Sequence, residues 1–323
     1  MIELFGTLGP ACQDEDILYE MFQAGMIGMR LNLSHAGLNE SAAMIEQFHR
    51  AASRADKKAE LLIDLQGPEL RVGTFSSPLI LQEGSRISIE SLKLPTEVIR
   101  CLTEKDDVLL DDGKLLLRYE DHAFTVIHGG TLSSRKSIKI VGTSVPMPAL
   151  TETDRNNLAS AKAYGVTAVM QPFVRNADDI HQVRAQLEEV QAGDIRIFSK
   201  IENREGLEHL DEIIACSDMI VIARGDLGND VPLSELPGIQ KDIARSCLNA
   251  GIPFLVVTQM LTSMILQPTP TRAEVSDIFN AVLDGASAVM VTNETAVGTY
   301  PVNVIQVLHD TVNAAIRWKT TSL

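Results

Sequence analysis

The sequence is poor in aromatic residues: Phe, Trp and Tyr make up only 4% of it, against 45% apolar residues in all. Any core must therefore be mainly aliphatic rather than built on packed rings. Cysteine is also scarce. Cys12, Cys101, Cys216 and Cys247 are scattered and form no CxxC pair, which excludes a disulfide framework and a thiolate zinc site and suits reduced thiols in a cytoplasmic chain. No uninterrupted apolar run approaches the roughly 18 residues that would suggest a membrane span. The opening MIELFGTLGPA carries no basic segment, so no secretory signal is expected. Positive charge is short too, with a formal net charge of −15, which argues against a nucleic-acid or acidic-membrane partner. An anionic ligand would have to be held by a local cluster of Arg and Lys against that background.

What is present is a rhythm. The 323 residues suit one large domain with an insertion, and short apolar runs alternate with amphipathic segments almost from end to end. Strands are predicted at Glu3–Gly6, Gly28–Leu33, Glu60–Leu65, Ala168–Pro172, Arg196–Ile201, Met219–Ala223, Phe254–Thr258 and Ala288–Thr292. Helices are predicted near 14–24, 38–54, 152–163, 177–190, 205–215, 235–249, 272–284 and 302–317. Eight strands each followed by a helix is the signature of a (β/α)8 barrel. Thr271 with Glu274, and Thr151 with Asp154, stand in capping-box spacing at two helix starts.

One stretch breaks the rhythm. From about Thr74 to Val145 the pattern reads as alternating pieces such as SRISIE, DVLL and KLLLRY, parted by turns at Asp112-Gly113 and Gly129-Gly130. This predicts a small all-β lid domain over 74–145, inserted into a barrel formed by 1–73 and 146–323. An insertion after the third strand emerges at the C-terminal mouth of a barrel, where active sites sit.

Three strand ends carry polar groups that an aliphatic interior does not need. In MRLNLSH, residues 29–35, alternation puts Arg30, Asn32 and Ser34 on one face and the apolar residues on the other. A cation turned into a barrel is costly unless it meets a partner, whether in an internal ion pair or in a ligand. In IDLQGPELR, Asp64 ends an apolar run, and Gly67-Pro68 turns the chain towards Glu69 and Arg71. Lys200 and Glu202 lie two residues apart at the end of RIFSKIEN, and the next strand ends in Arg224-Gly225-Asp226. Neighbouring strands run about 4.8 Å apart, so Glu202 and Asp226 can share one hard cation, while Lys200 could instead serve a structural salt bridge.

TLGPA, MRLNLSH, IDLQGPELR, SKIENREG, ARGDLG, VTQML, PTRAEVSD and NAVLDGA, taken in this order, resemble the pyruvate kinase family. The resemblance extends through the insertion, at LLDDGK and LSSRKSIKIVG, and its return at VPMPALTETD. It implies transfer of a phosphoryl group from phosphoenolpyruvate to ADP, giving pyruvate and ATP. Glu202 and Asp226 would bind Mg2+ or Mn2+. Lys200 would stabilise charge on the transferring group and the enolate oxygen. The N–H groups of Gly225 and Asp226, with the Thr258 hydroxyl, would hold the substrate carboxylate, and Thr258 would help protonate the enolate. Arg30 would face the phosphate. Asn32, Ser34, Asp64 and the Leu65 carbonyl would form a K+ site, and His35, Arg71 and Lys136 would meet the nucleotide phosphates. The family also implies a homodimer formed around Pro270–Asp284, and no counterpart of its usual C-terminal domain is expected after the eighth helix.

The sequence departs from the family pattern at several places. Gln66, Leu65 and Val72 resemble K+-independent members, whereas Glu69 resembles K+-dependent ones; Glu69, if unpaired, would add negative charge that a bound cation could offset, unless Arg30 or Arg71 neutralises it instead. Pro172 replaces a usual Ser, Thr292-Asn293 a usual Ser-Gly, and Val297 a usual Lys. Two other functions fit parts of the pattern. A metal-dependent 2-oxo acid aldolase of the same barrel superfamily would share the metal and enolate chemistry, but would not need a lid bearing Arg135-Lys136. A non-catalytic metabolite-binding paralogue would not need intact Lys200, Glu202 and Asp226.

Overall fold

A computed structural model describes residues 2–143 and 145–321. Positions 1, 144, 322 and 323, which fall inside the expected domain ranges, lie outside the described residues. By packing, the chain falls into two compact units. One comprises Met1–Gly67, Ala149–Gly228 and Leu233–Leu323; the other comprises Pro68–Pro148 and Asn229–Pro232.

The first unit is a closed parallel barrel. Its strands are β1 (Glu3–Thr7), β2 (Gly28–Asn32), β3 (Glu60–Asp64), β4 (Ala168–Gln171), β5 (Arg196–Ile201), β6 (Met219–Ala223), β7 (Phe254–Val257) and β8 (Ala288–Met290). Each pairs in parallel with its sequence neighbours, and β1 closes the ring against β8. The principal outer helices are α1 (Glu15–Gln23), α2 (Ala42–Arg54), α3 (Glu152–Ala161), α4 (Ala177–Glu189), α5 (Leu210–Cys216), α6 (Leu236–Ala250), α7 (Arg272–Leu283) and α8 (Pro301–Thr321). Both expected capping boxes form, at Thr151–Asp154 and Thr271–Glu274. Each satisfies N–H groups that a helix start would otherwise leave without partners.

Inside the ring the lower layers are apolar, with Leu62, Met170, Val221, Leu255 and Met290 packed together. Two rings join this otherwise aliphatic set, Phe5 and Phe198. Gly28 lets β2 pack closely there, because a Cβ would come within 2.2 Å of the Glu60 carbonyl oxygen and 2.9 Å of the Phe5 ring. Each such buried side chain contributes about 1.5–3 kcal/mol. The layer nearest the C-terminal strand ends is different. There β2 offers Arg30, β3 Asp64 and β5 Lys200, on the alternation that puts Leu62 and Phe198 two residues earlier on the inner face.

The second unit holds a five-stranded antiparallel sheet. Its strands run, in spatial order, Ile138–Ile140, Asp107–Leu110, Leu115–Glu120, Ala123–His128 and Arg86–Ser88. A two-stranded ribbon joins Leu79–Leu81 to Gly130–Leu132. Its core includes Val108, Leu117, Phe124 and Ile140. The Asp111-Asp112-Gly113 turn is left-handed at all three residues, with φ of 49°, 55° and 82°. Two short helices, Ile89–Leu92 and Thr96–Cys101, interrupt what the sequence pattern presents as strand alone. SRISIE is extended only to Ser88 and then turns helical, since four residues of apolar alternation do not distinguish the two.

Candidate active site

Asp64 is the hub. Its carboxylate is 2.7 Å from the Nε of Arg30 and 3.2 and 3.3 Å from the Nζ of Lys200. Lys200 also stands 3.0 Å from the Glu202 carboxylate, whose second oxygen accepts the N–H of Phe173 at 2.9 Å. Phe173 follows Pro172 at the end of β4 and is held at φ 52°, an uncommon conformation that aims its N–H at the carboxylate. Arg30, Asp64, Lys200 and Glu202 are all nearly buried, with side-chain exposures of 14, 3, 12 and 2%.

Burial opposes ionisation of Asp64, but Lys200 and Arg30 overcome it and hold the carboxyl below the usual carboxylate range. Burial likewise pulls Lys200 down, yet Asp64, Glu202 and the more distant Asp226 more than compensate, so it is held as a firm cation. Glu202 goes the other way. Burial, with help from Asp226 and Asp64, pushes it up to about 7 despite Lys200. The two shifts express one imbalance: Lys200 is shared among three carboxylates, and Glu202 is left undercompensated. Two cations, Arg30 and Lys200, face Asp64, Glu202 and Asp226, leaving one excess negative charge.

Asp226 sits in a one-turn helix, Arg224–Leu227, directly after β6. Gly225, in the same turn, abuts Thr258; a Cβ at Gly225 would lie 3.1 Å from the threonine methyl. Thr258 has φ 81° and Gln259 φ 57°. For a β-branched residue this is strained backbone, worth on the order of 1–3 kcal/mol. Arg224 offsets part of it by donating to the Thr258 carbonyl at 2.6 Å while paired with Asp277 at 2.7 Å.

The remaining expected site residues are placed as follows. Asn32 accepts the Ser34 N–H at 3.1 Å in a local turn. The Leu65 N–H donates to the Met170 carbonyl, and His35 is exposed in the turn after β2. Arg71 and Lys136 belong to the second unit. Arg71 pairs with Glu69 at 2.6 Å and donates to the Arg135 carbonyl at 2.8 Å; Lys136 pairs with Asp111 at 2.7 Å. Glu69 is therefore neutralised by Arg71, the alternative to an uncompensated charge offset by a bound cation. All four cysteines are free thiols, and among the described residues no helix is long and apolar enough to cross a membrane.

The model of the family "Pyruvate kinase, barrel domain" matches residues 2–305. The chain belongs to the pyruvate kinase family. It is similar to the pyruvate kinases of Bacillus licheniformis (37% identical, 94% of this chain and 55% of that protein) and Geobacillus stearothermophilus (38%, 94% and 55%). The pyruvate kinase of Methylorubrum extorquens is 39% identical over 94% of this chain and 66% of its own length. The chain thus spans little more than half the length of several curated relatives it matches.

Within this family framework, three residues have supporting roles that the sequence pattern did not assign to them. Asp154, fully buried, accepts the N–H groups of Gln66 and Gly67 at 2.9 and 3.1 Å as well as that of Thr151 at 2.9 Å. The capping-box spacing gives the last bond; nothing local signals the first two. Arg224 lies in a motif noted for its glycine, and its partners are 34 and 53 residues away. Glu294, also buried, accepts from Thr292 and from the Leu261 N–H at 3.2 Å, tying the β8 end to the loop after Thr258.

Proposed function

We propose that the chain carries out pyruvate kinase chemistry, moving a phosphoryl group between phosphoenolpyruvate and ADP to give pyruvate and ATP. The observation that carries this reading is the charge arrangement at the strand ends. A buried lysine is paired with Asp64 at 3.2 Å and with Glu202 at 3.0 Å, and Asp226 acts on it as a third carboxylate.

The donor set fits Mg2+ or Mn2+. Among the described residues no three His, Cys, Asp or Glu side chains make a complete protein cage. Glu202 and Asp226 instead make a two-carboxylate site, the kind that leaves Mg2+ its remaining oxygens from water and substrate. When bound, the ion would reverse the excess charge and polarise substrate oxygens.

The protein groups divide the remaining work. Lys200 presents a fixed positive charge to the transferring phosphoryl group and the enolate oxygen, where pre-organised cations contribute most. Arg30, oriented by Asp64, faces the phosphate. The N–H groups of Gly225 and Asp226, in the first turn of their short helix, are assigned to the substrate carboxylate. Thr258, held in its strained conformation, presents its hydroxyl to the same carboxylate and assists protonation of the enolate through water. His35, Arg71 and Lys136 are assigned to the nucleotide phosphates. The last two would have to exchange Glu69 and Asp111 for phosphate oxygens. Asn32, Ser34, Asp64 and the Leu65 carbonyl are assigned to K+.

The lid role of the inserted unit, the domain division at 74–145, a cytoplasmic setting and a homodimer around Pro270–Asp284 belong to the same reading. The test is a coupled assay of ADP phosphorylation by phosphoenolpyruvate, with and without Mg2+. Lys200→Met should lower turnover by about a hundredfold or more while leaving Mn2+ binding within a few fold. Wild-type turnover in that variant would refute the assignment. Mg2+-dependent cleavage of a 2-oxo acid without ADP phosphorylation would instead favour the aldolase.

A further inference from the structure

The second unit does not end where the inserted sequence returns. It also includes Asn229–Pro232, a four-residue excursion between Gly228 and Leu233. This excursion is fastened to the sheet of that unit at two points. The Asp230 carboxylate lies 3.0 Å from the Nζ of Lys139, which sits on the Ile138–Ile140 strand. Asn229 lies against the Asp111-Asp112-Gly113 turn, where a Cβ on Gly113 would come 3.3 Å from the Asn229 Oδ1. Val231 is 8% exposed, and the Asp230 side chain equally so.

The other side of the connection is short and stiff. Asn229 follows Asp226 by three residues. Leu227 is fully buried, and the Gly228 N–H closes the turn onto the Arg224 carbonyl at 3.0 Å. A Cβ at Gly228 would stand 2.9 Å from that same oxygen, so the backbone packs there without slack. Arg224, at the start of the turn, is pinned to Asp277 and to the Thr258 carbonyl. Asp226 therefore lies midway along a turn fixed at one end to the barrel and continuous at the other with a segment fastened to the inserted unit.

We propose that the Lys139–Asp230 pair is a tether through which the inserted unit positions the Asp226 carboxylate. Lys139 and Asp230 are positioning residues; neither need touch metal or substrate. The tether makes occupancy of the inserted unit and affinity at Asp226 reciprocal, as linkage requires of any two coupled sites. The inference rests on the reading of Glu202 and Asp226 as a metal site, and its test separates the two.

The probe is Mn2+ alone, titrated into the full chain and followed by electron paramagnetic resonance of the free ion. Lys139→Met and Asp230→Asn should each raise the Kd for Mn2+ about fivefold, within the usual range of coupling between sites. The exchanged pair, Lys139→Asp with Asp230→Lys, should recover most of that loss, which a merely destabilised fold would not do. Glu202→Gln serves as the control for the metal site itself. If Glu202→Gln weakens binding and both single variants match the wild type, the tether is refuted and the metal reading stands. If the single variants weaken binding but the exchange restores nothing, the pair does not act as proposed. If Glu202→Gln leaves binding unchanged, the metal reading fails and the tether fails with it.

Discussion

Replacing Asp64 by Asn changes almost nothing in shape and removes one charge from the centre of the site. The wild-type carboxylate accepts from Arg30 at 2.7 Å and from Lys200 at 3.2 and 3.3 Å. In Asp64→Asn both cations remain buried. Lys200 keeps Glu202, but Arg30 loses its close carboxylate and meets an amide that can itself donate. Removing one partner of a buried pair costs about 3–5 kcal/mol. At about 2–4 °C per kcal/mol for a large domain, that corresponds to a fall in melting temperature of about 6–20 °C. The pH dependence gives a second, independent signature. Because the folded-state pKa of Asp64 is depressed, its contribution is present above the unfolded carboxylate value. It is lost as pH falls through the folded value. Protonated Asp64 resembles Asn, so the gap between variant and wild type should be full at pH 7 and narrow below about pH 4. Scanning calorimetry on metal-free protein reads both. A gap under about 1 kcal/mol at pH 7, or one that does not change with pH, would refute the view that Asp64 is the electrostatic hub.

Three further outcomes follow from the same geometry. The Glu202 carboxyl is held at about 7 and must lose its proton to bind a cation, so Mn2+ affinity should be about tenfold weaker at pH 6 than at pH 8. Titration calorimetry in buffers of different ionisation heat should find more proton release per ion at pH 6 than at pH 8, and equal Kd values at pH 6 and 8 would contradict this. Thr258→Gly should relieve the φ 81° strain and raise stability by about 1 kcal/mol while lowering turnover about a hundredfold; loss of both would mean the strain has been misread. Turnover measured in tetramethylammonium buffer at constant ionic strength should rise when K+ is added. No rise would remove the Asn32, Ser34, Asp64 and Leu65 assignment, a live outcome now that Arg71 is seen to neutralise Glu69.

The barrel was legible because its signal is repeated. Eight apolar runs with intervening amphipathic stretches locate β1–β8 to within one or two residues, and alternation alone put Arg30 and Asn32 on the face opposite Leu31. What stayed hidden depends on contacts distant in sequence. Nothing near Asp154 announces that its carboxylate reaches Gln66 and Gly67, 88 and 87 residues earlier. The Arg71–Glu69 pair could be named only as one alternative, for the opposite reason. The residues are two apart, and the sequence does not specify whether the backbone brings their side chains together or sends each to a separate partner. The left-handed Thr258 and Phe173 are illegible in principle, since neither residue type favours that conformation and only the surrounding packing imposes it.

Asp154 has a consequence for the architecture of insertion. One buried carboxylate gathers the N–H groups of Gln66 and Gly67, where the chain leaves the barrel unit, and that of Thr151, just after it returns. Departure and re-entry are thus stapled to a common point, and the barrel is sealed there whatever sequence lies between. Such a socket tolerates exchange of its cargo, because closing a loop between ends already held together costs little and rises only slowly with length. Residues 68–148 should therefore be replaceable by a short glycine-rich bridge, or by a foreign domain with neighbouring termini, so long as Asp154 and Thr151 are kept.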